Sequence, residues 1–187
     1  YADFSAYEGA SPDLKTPNLD KLFRAGAVVI NGYSTAPQCT PSRAAIVTSR
    51  YQTRFGLEDN HYAPMDINET TIAEKLKDAG YVTGFVGKWH LTPSKNNKLW
   101  MENNWPEGLK QVNPKVPENL KLPYLPMSRG YSEYYDGAKS PYLRNFDLQG
   151  KSIKHEREVD KKTFRVDKQS DAALAFLKKN HRKPFFL

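Results

Sequence analysis

The first part of the chain carries a helical pattern followed by a strand pattern. Leu19, Leu22 and Phe23 recur at the spacing that places side chains on one face of a helix, which predicts a helix over residues 16–26. A threonine at its start can cap this helix, and a glycine at its end can stop it. The apolar run at residues 27–30 follows directly and predicts a short buried strand.

The same alternation returns later in the chain. Thr71 and Glu74 have the spacing of a capping box, which predicts the start of a helix. Residues 81–86 then predict a strand, residues 164–180 a long helix, and residues 184–187 the beginning of another strand. Because helix and strand patterns alternate, we expect a layered α/β fold.

Two stretches show no clear period. Residues 93–143 contain seven prolines and many aromatic residues, so we interpret them as an irregular insertion with little regular structure. Its aromatic patch, residues 129–137, could stack on sugar rings, but packing against the core is the simpler interpretation. Residues 147–157 are predicted to form a surface turn region.

Composition and charge narrow the functional class. The 187 residues suffice for one domain with a core, and 28 Lys and Arg against 21 Asp and Glu give a net charge of +7. This excess suits a polyanionic ligand, although scattered charges also suit an ordinary solvated surface. The lack of a basic stripe argues against a nucleic-acid-binding module. Steeply salt-dependent binding to nucleic acid would bring this alternative back. No stretch has the apolar length that crosses a bilayer.

The single cysteine lies in the string Cys39-Thr40-Pro41-Ser42-Arg43. It cannot form an internal disulfide, so it is either a small buried residue or a chemically active group. Pro41 favours the first turn of a helix, which we expect to end near residue 50. Cys39 would then lie where free backbone N–H groups attract an anion. Arg43, about one turn further on, can reach back to it. The string therefore predicts a nucleophile that meets a phosphate or a sulfate.

A second group of candidate residues follows the strand predicted at residues 81–86. In open α/β sheets, ligands bind at loops beyond the carboxyl ends of the strands, and Lys88 and His90 stand where such a loop begins. Trp89 between them is expected to be part of the core or of a pocket wall. The remaining histidines have no motif around them and are predicted to be surface residues: His61, His155 and His181.

Both groups resemble the signatures of the type I sulfatases. Residues 39–43 resemble the family string C-x-P-S-R, and residues 84–91 match the second family signature in the expected order. Residues 93–160 match only in patches. Three shorter segments also resemble family segments, the second with serine where the family has glycine: residues 15–22, 48–51 and 183–187.

The resemblance implies a role for each matching residue. Cys39 would be oxidised to formylglycine (3-oxoalanine), whose hydrated form attacks the sulfur of a sulfate ester and also binds a metal ion. Arg43 would hold that group, Lys88 would bridge it to a sulfate oxygen of the substrate, and His90 would accept its proton when sulfate leaves. Arg50 would support the nucleophile loop or form a structural salt bridge.

The resemblance also implies a fold and a metal. The family has an alkaline-phosphatase-like α/β domain with a mixed, mostly parallel sheet flanked by helices. Residues 1–187 would be part of that domain, truncated at both ends. Its calcium or magnesium ion is held by two carboxylate pairs. Asp3 aligns just past the first pair, so the other ligands are expected outside this chain. We expect the 187 residues alone to be poorly stable and inactive; metal-dependent activity from them would contradict this.

The function implied by the resemblance is hydrolysis of sulfuric esters, with a sulfated carbohydrate as substrate. The partner expected beside that substrate is a formylglycine-generating maturation enzyme, and the expected location is the periplasm or the outside of the cell. Two alternatives stay open. The same nucleophile suits a phosphonate or phosphate ester hydrolase, and a non-catalytic binding protein would keep the fold without converting Cys39.

Overall fold

The computed structural model of the protein describes residues 3–61 and 63–187. The chain divides into two compact units, Tyr1–Ser34 and Thr35–Leu187. The second unit holds every strand assigned in the described residues, together with all four of the predicted site residues.

The first unit contains one helix in its described part, α1 (Pro17–Ala25), which ends at Gly26 as predicted. Thr16 occupies the capping position, but its hydroxyl makes no capping hydrogen bond. It donates instead to Asp20 Oδ1 at 2.9 Å and accepts the Ser5 backbone N–H at 2.8 Å. These bonds fasten the segment before the helix to its first turn.

The prediction of a buried strand at residues 27–30 is wrong. No strand forms there, and the exposed fractions of Val28, Val29 and Ile30 are 42%, 77% and 81%. The predicted apolar face of α1 is also largely open, since Leu22 is 69% exposed. A strand needs a neighbour that pairs with its N–H and C=O groups, and no described segment pairs with this run.

The second unit begins with α2 (Cys39–Thr48), two residues earlier than the predicted start. The helix extends back because the Gln38 carbonyl accepts the Ser42 N–H at 3.2 Å. Helix α3 (Ile72–Asp78) starts at the predicted capping box, with both reciprocal hydrogen bonds present. No described helix combines the length and apolarity needed to cross a membrane. The later helices are α4 (Lys98–Asn104), α5 (Pro106–Leu109), α6 (Glu118–Lys121) and α7 (Arg165–Asn180).

A five-stranded sheet forms the centre of this unit, with the strand order β4-β3-β2-β1-β5. Strand β1 runs parallel to β2 and to β5, whereas β2, β3 and β4 form antiparallel hairpins. The prediction of an α/β fold with a mixed sheet flanked by helices is confirmed; of the pairings between described strands, half are parallel. The strands are β1 (Val82–Gly87), β2 (Glu133–Asp136), β3 (Tyr142–Phe146), β4 (Ser152–Glu158) and β5 (Phe185–Phe186).

Helices cover both faces of β1. Val82 and Val86 pack against the core cluster that includes Phe176 of α7, and Phe85 packs against the cluster that includes residues of α2 and α3. Successive strand residues point to opposite faces, so the two clusters lie on opposite sides of the sheet. Gly84 is needed between the valines, because a Cβ there would lie 2.5 Å from the Phe176 ring.

Residues 93–143 are more regular than predicted. They contain α4, α5, α6 and β2, together with the start of β3. In the aromatic patch, Tyr131, Tyr134 and Tyr135 are at most 4% exposed, which confirms the interpretation that the patch packs in the core. The surface turn region predicted at residues 147–157 is only partly right, because most of its second half belongs to β4.

Candidate functional site

Cys39 is the first residue of α2, and its thiol is half-buried. Asn60, 21 residues further on, caps the helix from outside. Its Oδ1 accepts the Thr40 N–H at 2.8 Å and the Cys39 thiol at 3.4 Å. Its own backbone N–H donates to Gln38 Oε1 at 2.8 Å. Since such an acceptor satisfies a free N–H group at the helix start, Asn60 fixes both the start of α2 and the direction of the thiol.

Arg43 joins α2 to the end of β1. Its Nη1 donates to the carbonyl oxygen of Lys88, the residue that follows the strand. Its Nε is buried, and no described residue accepts a hydrogen bond from it. A buried N–H group without an acceptor costs free energy, so this atom is a donor available to a bound oxyanion. The structure therefore brings Arg43 to the loop that carries Lys88.

His90 is tied to the same helix. Thr40 Oγ1 lies 3.3 Å from its Nδ1 and 3.3 Å from its carbonyl oxygen. The backbone of His90 has a left-handed conformation with φ 61°, which is uncommon for a non-glycine residue and frequent at functional sites. Burial, followed by the charges of Lys88 and Arg43, lowers the pKa of His90 below 6.5. The imidazole is therefore neutral at neutral pH and can accept a proton.

Asp136 lies beside this loop, although no sequence motif indicated it. It ends β2 and pairs with Gly87 at the end of β1, and its Oδ1 accepts the Trp89 N–H at 3.1 Å. Burial raises the pKa of Asp136 to about 6, against the opposing effects of that N–H, Arg43 and Arg157. An acidic residue ending the neighbouring parallel strand is the signal that could have found it.

Other side chains singled out in the sequence are structural. Arg50 forms a salt bridge with Glu69, so the structural alternative is the one observed. Trp89 is 2% exposed and belongs to the core, where its indole N–H donates to the Tyr124 carbonyl at 2.7 Å.

The three histidines predicted to be surface residues differ. His61 and His181 are exposed, as expected. His155 is half-buried, and its Nδ1 forms a hydrogen bond with the Tyr134 hydroxyl. The prediction is therefore wrong for His155, because the hairpin between β3 and β4 brings it over an aromatic ring.

A divalent cation such as calcium needs several oxygen ligands. In residues 3–61 and 63–187, no group of three or more His, Cys, Asp or Glu side chains is placed to hold a metal ion. Asp3, the acidic residue nearest the family's first carboxylate pair, belongs to no such group. The described residues alone therefore do not fit a complete metal site.

The whole chain matches one known family, because a model described as Sulfatase covers residues 1–187. The chain belongs to the sulfatase family. The resemblance first seen in residues 39–43 and 84–91 is thereby confirmed.

Curated sulfatases are similar to this sulfatase chain over about half of its length. Arylsulfatase G of Canis lupus familiaris is 44% identical over 80 residues, which are 41% of this chain and 15% of that protein. Human arylsulfatase A is 40% identical over 96 residues, 49% of this chain and 18% of that protein. Human N-acetylgalactosamine-6-sulfatase is 40% identical over 103 residues, 49% of this chain and 19% of that protein. This sulfatase chain spans less than a fifth of their length.

Solved structures share the fold of this sulfatase chain. The crystal structure of Ps i-CgsB in complex with k-i-k-neocarrahexaose has a TM-score of 0.60 and 25% identity, over 95% of this chain and 39% of that one. A protein in complex with its substrate D-glucosamine-2-N,6-O-disulfate has a TM-score of 0.55 and 24% identity, over 91% of this chain and 28% of that one. The second likeness shows the fold alone.

Proposed function

We propose that this protein hydrolyses sulfuric esters through a formylglycine made from Cys39. The observation that carries the proposal is the meeting of two sequence motifs at one strand end. Arg43 of the first motif binds the Lys88 carbonyl, and Thr40 contacts His90 of the second. These contacts support the proposal because they join the two segments that carry Cys39, Arg43, Lys88 and His90. In the proposal these residues supply a nucleophile, two cations and a base, the groups that sulfate transfer requires.

Each residue has a distinct role in the proposal. When present, the hydrated aldehyde at position 39 would supply one hydroxyl as the nucleophile and a second hydroxyl whose loss of a proton would expel the sulfate by C–O cleavage and restore the aldehyde. Arg43 holds this group through its buried, unpartnered Nε. Lys88 binds a sulfate oxygen and stabilises the charge that develops there. His90 is neutral because its pKa is lowered, so it can take the proton of the second hydroxyl.

The proposal assigns residues 1–187 to part of the catalytic domain, with residues 93–143 as an insertion in it. It includes a calcium or magnesium ion, with the converted Cys39 as one ligand and the other ligands outside this chain. The described residues do not complete the site of this ion.

Sulfated carbohydrate is the substrate class that we propose. It is supported by the name N-acetylgalactosamine-6-sulfatase of one relative and by the carbohydrate complex of one structural neighbour. The net charge of +7 suits a polyanionic substrate. We also propose a formylglycine-generating enzyme as maturation partner, and the periplasm or the outside of the cell as location.

The proposal is tested by the mass of the peptide that contains Cys39, taken from protein made in its own host. Conversion of the thiol to the aldehyde removes about 18 Da. Cys39→Ala is the matched variant and should show neither the conversion nor turnover of an aryl sulfate. An unconverted thiol in a host that matures other sulfatases would contradict the proposal and favour a binding protein.

A phosphonate or phosphate ester hydrolase is the second candidate, because those esters are also tetrahedral anions. The same purified protein should be assayed on an aryl sulfate and an aryl phosphonate. A larger kcat/KM on the phosphonate would favour that candidate, whereas the proposed function requires a larger kcat/KM on the sulfate.

A further inference from the structure

A cavity of about 540 Å³ lies next to Asn60, the residue that caps α2. Its wall comes from two places in the chain, the residue after Asn60 and residues 95–102, which lead into α4 and form its first part. The mechanism proposed above uses none of its lining residues. They are His61, Lys95, Asn96, Lys98, Leu99 and Glu102.

Hydrogen bonds connect this wall to Cys39. Asn97 is 2% exposed, and its Nδ2 donates to the Asn60 carbonyl at 3.5 Å. Its Oδ1 accepts the Ser94 N–H at 2.7 Å, which fixes the segment before α4. Asn60 in turn accepts the Cys39 thiol. His61 and Lys98 are the chain neighbours of these two asparagines, so the wall of the cavity is joined to Cys39 through two hydrogen bonds.

The charges of the wall favour an anion. Lys95 and Lys98 carry two positive charges against the one negative charge of Glu102. Lys95 Nζ donates to Asn113 Oδ1 at 2.9 Å, which orients the ammonium without neutralising it. Within the described residues, neither lysine forms a salt bridge. Lysine ammonium groups that no carboxylate neutralises can bind sulfate or carboxylate oxygens.

We propose that this cavity is a second anion subsite. It binds a sulfate or carboxylate group of the glycan next to the ester that is cleaved, so that the substrate must carry at least two anionic groups to bind well. The inference rests on the proposed function and deepens it. A small aryl sulfate carries one anionic group and would leave the subsite empty.

The test is the double variant Lys95→Gln with Lys98→Gln, in protein purified from its own host. We expect the KM for a disulfated oligosaccharide to rise about tenfold with little change in kcat, as expected from the loss of about 1.4 kcal/mol of binding. The kcat/KM for a monosulfated aryl ester should stay within about twofold, because that substrate does not reach the subsite.

The matched control is Lys154→Gln with Lys178→Gln, which removes the same charge from exposed positions away from the cavity. If both double variants raise the KM equally, the effect is one of overall charge and the subsite is contradicted. An unchanged KM in the cavity variant also contradicts it.

A wild-type protein that cleaves neither ester contradicts the proposed function, but it leaves the subsite testable. Calorimetric binding of the disulfated oligosaccharide then decides: equal affinity of wild type and cavity variant overturns the subsite. Affinity about tenfold weaker in the cavity variant alone supports it.

Discussion

Two clusters of charged residues in the second unit differ in which protonation states they favour. On the side of α7, Lys168 Nζ lies 2.7 Å from Glu158 Oε1 and 3.1 Å from Asp160 Oδ2. Burial opposes charge on Lys168 and Glu158, but their mutual hydrogen bond raises the pKa of Lys168 and lowers that of Glu158. In this cluster the charged forms of the lysine and the two carboxylates stabilise one another.

The candidate site has the opposite arrangement. Burial raises the pKa of Asp136 to about 6 and lowers the pKa of His90, so both shifts favour the neutral form. Arg43 retains a buried N–H group that no described residue accepts. Unsatisfied groups and neutral-favouring shifts are typical of sites that act on a ligand, whereas satisfied ion pairs are typical of structural networks.

Removing Lys168 should give the largest loss of stability, and it should disrupt only the ion pairs on the side of α7. Lys168→Met leaves Glu158 and Asp160 without their shared cation, and losing one partner of a buried ion pair costs about 3 kcal/mol. We expect that loss in the free energy of unfolding, measured with urea in the protein from its own host. The kcat for an aryl sulfate should not change. A large fall in kcat without loss of stability would show that the two clusters are not separate.

Replacing Asp136 by Asn tests the neutral-favouring character of the candidate site, because it should change how the stability of the protein depends on pH. The pKa of Asp136 is raised from 3.8 to about 6, so protonation stabilises the folded state below pH 4, and this stabilisation is lost as the pH rises through 6. The amide keeps an acceptor for the Trp89 N–H but cannot ionise. We therefore expect the free energy of unfolding of Asp136→Asn, relative to that of wild type, to rise by about 2 kcal/mol between pH 4 and pH 7. Unfolding curves at both pH values measure this, and parallel pH profiles would contradict it.

The smallest effect is expected at Asn60. Asn60→Ala removes the acceptor for the Thr40 N–H and the Cys39 thiol, and loss of a helix cap costs about 1 kcal/mol. We expect that decrease in stability, with kcat reduced about tenfold because position 39 is less well oriented. Asn60→Asp keeps the acceptor and should retain the stability. If Asn60→Ala has wild-type kcat, Asn60 does not position the nucleophile.

The sequence predicted the elements that have strong local signals. The capping box at Thr71, the strand β1 and the long helix α7 were all found. Strand β4 was missed because it pairs with β3 alone, and its polar residues alternate only between half-buried and exposed. The run at residues 27–30 has the composition of a strand but no partner among the described strands, and no local pattern reveals whether a partner exists.

The residues of the candidate site also differ in whether a local sequence pattern could predict them. Motifs predict Cys39, Arg43, Lys88 and His90 as site residues, because their residue types and spacing are local. Asn60 was missed because its side chain reaches Cys39 across 21 residues, and no short string encodes that contact.

The parallel pairing of β1 with β2 also determines when the site can form during folding. Asp136 must travel across 47 residues of chain to reach the Trp89 N–H, and Arg43 across 45 to reach Lys88. The hairpin of β3 and β4 joins residues only 12 apart, as at Arg144 and Glu156. Closing a longer loop costs more entropy, so the hairpin can assemble while the segments that carry Arg43 and Lys88 are still far apart. The site therefore needs contacts of longer range than the hairpin does, and it is complete only after these distant segments have met.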